Sequence, residues 1–464
     1  MENRRGKIQS LTTEKTEFKR EIGVFGGVSI IGGIMVGSGI FYLGSYVLRR
    51  AGMNSGLALI CWIIGGIITL FGGLCYAELG TAMPRAGGRV VYLNEAFHPV
   101  VGFMAGFTDW LIGGPGSVAA IAIAMMNVCK PFIPISDAGV KAAAIAIIII
   151  LTAYNLIGVR LASIVQNISM VAKLIPIAVV MCAALFIGRV TPDLSLTSAV
   201  EHSRSSGSSL FGMIALAVVA CLWAYEGWTN LNTVAEEIKD PHRNLPLALI
   251  IGIGGITVLY TLFNFAIMKV LPHETIVEMI EAEELYLGTA VAERVLGRGG
   301  VIVVSAGMAL SMFGALNGLI MTQPRMYYSM AEEGHFFKSF AKLHPQYKVP
   351  TTAIIVQGVL SVLLVMVRSL DQLTNLVVVT GMVFSVLVIL AVPILRKKYP
   401  SIERPYKVWL YPLSVLVTAL IFIGLLLQAA LEDPVTGAAG LLVPLLGAAV
   451  YFVFDRKMKK AGEN

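Results

Sequence analysis

Twelve apolar runs of the twenty-residue class recur between Ile22 and Phe454. Each is long enough to cross a hydrocarbon core of roughly 30 Å. A backbone that crosses lipid must satisfy its own hydrogen bonds, so runs of this length predict helices. The predicted spans are 22–48, 55–82, 97–129, 139–158, 163–189, 208–236, 244–271, 300–330, 350–368, 370–395, 406–430 and 436–455. Of 464 residues, 56% are hydrophobic and 14% charged, more apolar surface than a water-soluble core of this length could bury. The expected fold is an all-α membrane protein with twelve transmembrane helices, and the lipid bilayer is its expected surroundings.

Charge placement sets the orientation. An even number of spans puts both termini on one side, and the cytoplasmic choice collects most Lys and Arg inside. The tail 1–21 holds Arg4, Arg5, Lys7, Lys15, Lys19 and Arg20, and the tail 456–464 holds Arg456, Lys457, Lys459 and Lys460. The connection 272–299 carries Glu274, Glu278, Glu281, Glu283, Glu284 and Glu293, as an outside loop tolerates. The expectation is a multi-pass protein of the cell (plasma or inner) membrane with both termini cytoplasmic.

Other classes fit poorly. The net charge of +7 is dispersed in short clusters beside apolar runs, without the interleaved aromatics of a nucleic-acid surface. A polar stretch, Met1 to Glu21, precedes the first run and no small-residue cleavage site follows a short apolar region, so no cleaved signal peptide is expected. The five cysteines sit in or at the edge of apolar segments and read as reduced core residues. No metal site, cofactor or nucleophile–base set is expected, which argues against an enzyme.

Two spans are unlike the rest. The first contains Gly26, Gly27, Gly32, Gly33, Gly37 and Gly39, and its run Met35-Val36-Gly37-Ser38-Gly39-Ile40-Phe41 makes a continuous helix costly. The sixth carries Trp223-Ala224-Tyr225-Glu226-Gly227-Trp228, an acid and a glycine in mid-run. Interrupted spans that each open a five-span half point to an inverted-repeat transporter with a site at the membrane midplane. The predicted units are 1–21, a cytoplasmic tail; 22–189 and 208–395, two five-helix repeats; 406–455, two additional helices; and 456–464, a second tail. Gly33 and Gly37 also form a small-xxx-small pattern that suits close helix packing.

A broken helix can receive an amino acid's two charges. Free amides at the start of a half-helix suit a carboxylate, and free carbonyls at the end of the preceding half suit an ammonium. Gly37, Ser38 and Gly39 are the candidates for the carboxylate, with Val36 beside them, and the carbonyls of Met35 and Trp223 for the ammonium. Ala224, Tyr225 and Glu226 complete the predicted substrate site. Lys173 lies inside the fifth span, where an ionisable group costs roughly 2.5 to 3.5 kcal/mol, so it is a functional candidate unless it snorkels to the headgroups. Glu226 could pair with Lys173, titrate with a proton, lie beside the substrate, or face water as a gate acid. Asp109 in the third span reads as a structural partner with no assigned role.

Four blocks carry a resemblance: Val36-Gly37-Ser38-Gly39-Ile40-Phe41; Tyr76-Ala77-Glu78-Leu79-Gly80 with Pro84 and Gly87-Gly88; Trp223 to Trp228 through Glu236-Glu237, Pro241 and Arg243-Asn244-Leu245-Pro246-Leu247-Ala248; and Phe313-Gly314 with Asn317-Gly318, Arg325, Glu333-Gly334-His335 and His344-Pro345. They resemble the L-type amino acid transporter family, the light subunits of heteromeric amino acid transporters and their bacterial relatives, in the amino acid-polyamine-organocation superfamily. The resemblance implies the LeuT-type five-plus-five inverted repeat with broken helices one and six. It implies substrate between those spans and obligatory sodium-independent exchange of L-amino acids. It makes Trp223 an aromatic gate, and Lys173 with Tyr260 an inner pair occupying the lost sodium site and linking spans one, five and seven.

Two departures bear on partners and substrates. Members that pair with a glycoprotein heavy chain have a cysteine after the run resembling Lys130-Pro131-Phe132, where this chain reaches Ser136, so no disulfide-linked heavy chain is expected. Many members have glycine where Glu226 stands, which extends the expected range from neutral to cationic amino acids. The alternatives are a proton-coupled symporter and, more remotely, an amino acid sensor, which would need a larger signalling extension than these tails.

Overall fold

The computed structural model describes residues 11–12, 16–37, 39–130, 132–133, 135–197, 199, 209–367, 370–432 and 434–462. Helices cover all twelve predicted runs: Val24–Met35 (α1) and Gly39–Arg50 (α2), then Ser55–Ala82 (α3), Pro99–Cys129, Asp137–Asn155, Val159–Ile187, Leu210–Ala224, Pro241–Val270, Arg298–Thr322, Thr351–Val367, Leu370–Lys398, Leu413–Glu432 and Pro434–Gly462. Among the described residues, seven helices are long and apolar enough to cross a membrane, or eight if the bent pair α1 and α2 is one span. Two shorter apolar helices, Thr351–Val367 and Leu413–Gln428, accompany them.

The helices begin where local chemistry favours it. Asn54 caps α3 by accepting from the Leu57 amide at 2.7 Å. Ser136, at the position of the absent cysteine, caps Asp137–Asn155 through the Gly139 amide at 3.2 Å. Pro99 and Pro241 open their helices, where a missing N–H costs nothing.

Several details were not legible in advance. The connection after α3 holds a helix, Arg89–Ala96 (α4), before Pro99–Cys129 (α5). Within α5, Asp109–Gly113 forms a π-turn. Pro115 offers no amide to the carbonyl four residues back, which lets the ladder slip there. The helices after α5 are α6 (Asp137–Asn155), α7 (Val159–Ile187) and α8 (Leu210–Ala224), and a 3-10 segment, Trp228–Glu237, replaces the α-helix expected after the second break. Then come α9 (Pro241–Val270), α10 (His273–Glu281) and α11 (Leu287–Leu296), the last two folding the acidic connection. The run 300–330 divides at Gln323 into α12 (Arg298–Thr322) and α13 (Pro324–Glu332).

The broken segments sit at the centre. Helix α1 packs among α7, α9 and α12, while α2 packs on α8 and α11. The 3-10 segment returns to α1, so the two breaks pair crosswise: first half with second, second with first.

Candidate functional site

The first break follows Met35. The Val36 amide closes the last turn on the Gly32 carbonyl at 3.0 Å, the Gly37 amide turns back to Met35 at 2.9 Å, and α2 departs at 57°. A Cβ on Gly37 would have open space within 4 Å, whereas one on Gly39 would meet the Leu43 side chain, Cδ1 at 2.8 Å. Ser38, a predicted carboxylate ligand, lies outside the described residues.

The second break is a turn through Tyr225, Glu226 and Gly227. Gly227 has φ of 126°, and a Cβ there would lie 2.6 Å from Ile34 Cγ2 and 3.3 Å from the Met35 amide nitrogen, so the two breaks touch and only glycine fits. No such requirement could be read from the sequence, because the neighbour is almost two hundred residues away.

Lys173 joins the first break from α7. It is fully buried, and Nζ donates to the carbonyls of Gly32 at 2.7 Å, Gly33 at 2.8 Å and Val36 at 2.7 Å. All three ammonium protons are used. That arrangement excludes the snorkelling reading in this conformation, and Lys173 does not pair with Glu226. Tyr260 of α9 donates toward both broken ends, to Met35 at 2.8 Å and Ala224 at 3.1 Å.

The predicted residues divide by what they can reach. The Met35 carbonyl already accepts from both Gly37 and Tyr260, so an incoming ammonium would have to share or displace a donor. The Trp223 carbonyl accepts a 3.4 Å bond from the Glu226 amide and also faces the Tyr225 amide, so the same holds there. The Tyr225 side chain is buried, donates to the Trp62 carbonyl at 3.0 Å and sits in an aromatic group with Trp62 and Tyr260, turned away from the gap. Trp223 is 38% exposed and lines a cavity of about 330 Å3 with Tyr42, Tyr46, Arg50 and Met382. The Glu226 side chain is exposed to solvent at the second break.

Polar groups that sequence reasoning did not connect surround these breaks. Asn317 of α12 donates to Gln166 Oε1 at 2.6 Å and to the Ala162 carbonyl at 3.1 Å, and Gln166 donates to the Ser29 carbonyl at 3.2 Å. Tyr154 and Asn155 both donate to Asn317 Oδ1. Asn230 ties the 3-10 segment to Thr322 and Gln323. Arg325 meets Glu237 through Nε at 2.6 Å and Nη2 at 3.0 Å, both side chains essentially sealed from solvent. Asp109 accepts from Arg89 of α4, so its structural pairing is observed. Among the described residues, no group of three or more His, Cys, Asp or Glu could hold a metal ion.

The profile of the amino acid permease family matches residues 22–450. The serine/threonine exchanger SteT of Bacillus subtilis is 31% identical over 96% of this chain and 99% of its own length. The b(0,+)-type amino acid transporter 1 of Homo sapiens is 33% identical over 96% of this chain and 90% of its own. The large neutral amino acids transporter small subunit 2 of Homo sapiens is 33% identical over 94% and 80% respectively. With the broken, multi-helical architecture and coverage of nearly the whole chain, these matches establish that the chain belongs to the amino acid permease family of the amino acid-polyamine-organocation superfamily, a family of membrane transporters and not of enzymes.

Proposed function

We propose that this protein exchanges L-amino acids across the cell membrane without sodium. The observation that carries the proposal is Lys173. Its ammonium occupies a cup of three carbonyls at the first break, 2.7 to 2.8 Å from each, and so supplies internally the positive charge that a sodium ion would bring. The exchanger likeness over 96% of the chain supports the exchange mode. Names among the relatives, serine/threonine and large neutral amino acids, favour neutral substrates, and the solvent-reached Glu226 extends the proposed range to cationic ones.

In this reading twelve spans form a LeuT-type fold: repeats 22–189 and 208–395, plus the pair 406–455, with both termini cytoplasmic. The crosswise pairing of the half-helices supports the inverted arrangement. Substrate lies between the breaks, its carboxylate on the amides of Gly37 to Gly39 and its ammonium on the Trp223 carbonyl, shared with Met35. Trp223 caps it, and Lys173 with Tyr260 transmits its binding to spans one, five and seven. Ser136 in place of cysteine favours a chain without a disulfide-linked heavy subunit.

Purified protein in sodium-free proteoliposomes tests the proposal. A labelled amino acid panel is expected to enter vesicles preloaded with unlabelled amino acid and to stay out of empty ones. Uptake into empty vesicles driven by outside acid would instead establish a proton symporter.

A further inference from the structure

Arg89 opens α4, whose start packs against the 3-10 segment that follows the turn carrying Glu226. Tyr76 of α3 joins the two regions: its ring meets Trp228 edge-on at 4.9 Å and Tyr92 at 6.2 Å. The backbone is stitched as well, with the Gly87 amide donating to the Thr233 carbonyl at 3.0 Å and Asn232 donating to Tyr92 Oη at 2.9 Å. A Cβ on Gly88 would lie 3.1 Å from the Asn232 carbonyl carbon, so no side chain separates the segments there. Arg89 and Glu226 lie within each other's electrostatic reach.

The guanidinium nevertheless bonds to Asp109. Arg89 Nε donates to Asp109 Oδ2 at 2.8 Å and Nη2 donates to the same oxygen. The Asp109 side chain is 4% exposed and that of Arg89 12%, whereas Glu226 is open to solvent and forms no salt bridge among the described residues. Burial decides which carboxylate keeps the cation. Asp109 without Arg89 would be a charge stranded out of water, while Glu226 without Arg89 stays hydrated. Gly113 helps to hold this arrangement, because a Cβ there would collide with the Asp109 carboxylate.

We propose that Asp109 is a positioning residue for substrate selection: by holding Arg89, it leaves Glu226 unneutralised beside the breaks, so the space keeps one net negative charge for a cationic side chain. The inference rests on the reading that Glu226 faces substrate. A neutral substrate is indifferent to the partner of Arg89, and a cationic one is not.

The test is exchange kinetics of the full chain in proteoliposomes, with lysine and serine as probes. Asp109→Asn releases Arg89 toward Glu226 and is expected to raise KM for lysine about tenfold, the effect of roughly 1.4 kcal/mol, with KM and kcat for serine within about twofold. Arg89→Gln combined with Asp109→Asn removes the guanidinium too and is expected to restore the lysine KM. Where Asp109→Asn alone does not accumulate in the membrane, that double variant carries the test, and a lost lysine preference in it overturns the proposal. Glu226→Gln separates the two ideas. If lysine is no substrate, or Glu226→Gln leaves the lysine-to-serine ratio unchanged, the substrate-facing reading of Glu226 fails and this inference with it. If Glu226→Gln changes the ratio and Asp109→Asn does not, the positioning role alone is overturned.

Discussion

At the scale of single residues, Lys173 shows how a charge becomes stable in an apolar run. Its insertion cost of roughly 2.5 to 3.5 kcal/mol is offset by three charge-assisted bonds to carbonyls that the broken helix leaves open. Lys173→Ala uncovers those carbonyls without touching the proposed carboxylate site. It is expected to slow exchange at least about tenfold while substrate affinity changes only about two- to threefold, measured by exchange rate and equilibrium binding in parallel. An unchanged rate would make Lys173 a packing residue. Lys173 and Glu226 were legible because a charge is conspicuous in an apolar run. Asp109 stood out in the same way, but its pairing with Arg89, like that of Gln166 with Asn317, was not legible, because the partners lie 20 and 151 positions apart. The bond from the Tyr225 hydroxyl to the Trp62 carbonyl was not legible for the same reason, since it spans 163 positions.

At the scale of elements, the two breaks depend on glycines in different ways. Gly227 needs its left-handed backbone and its contact with Ile34. Gly227→Ala is therefore expected to cost about 1 to 3 kcal/mol and lower Tm in detergent. Gly37 faces open space, so Gly37→Val is expected to leave Tm near the unaltered value and yet abolish binding, by filling the gap a substrate carboxylate would enter. Retained affinity would move the carboxylate elsewhere. Glycine density and a mid-run acid announced both breaks in the sequence. The 3-10 form of Trp228–Glu237 was not announced, because its shape follows from contacts to Thr322, Gln323 and the Gly87 turn.

At the scale of the whole molecule, one end is closed by a set of long-range ties. The amides of Glu21 and Ile22 both donate to the Glu237 carbonyl at 3.0 Å, Thr16 donates to Glu236 at 2.7 Å, and Arg85 lies 3.1 Å from Glu236. Beneath them Arg325 and Glu237 form the most deeply buried of the described salt bridges. Removing one partner of such a pair costs about 3 to 5 kcal/mol, so Arg325→Ala is expected to lower Tm and membrane accumulation well beyond what Arg85→Ala does. Apolar runs made the helices readable. The closure was unreadable, because it joins the amino-terminal segment to residues more than two hundred positions later.

The central claim is obligatory exchange, and its most direct test is stoichiometry. Proteoliposomes in sodium-free medium are loaded with one isotopically labelled amino acid and exposed to another carrying a different label, so that influx and efflux are read from the same vesicles. The expected result is one molecule out for each one in, with both fluxes stopping when either side is empty. Influx that continues without efflux would contradict the account.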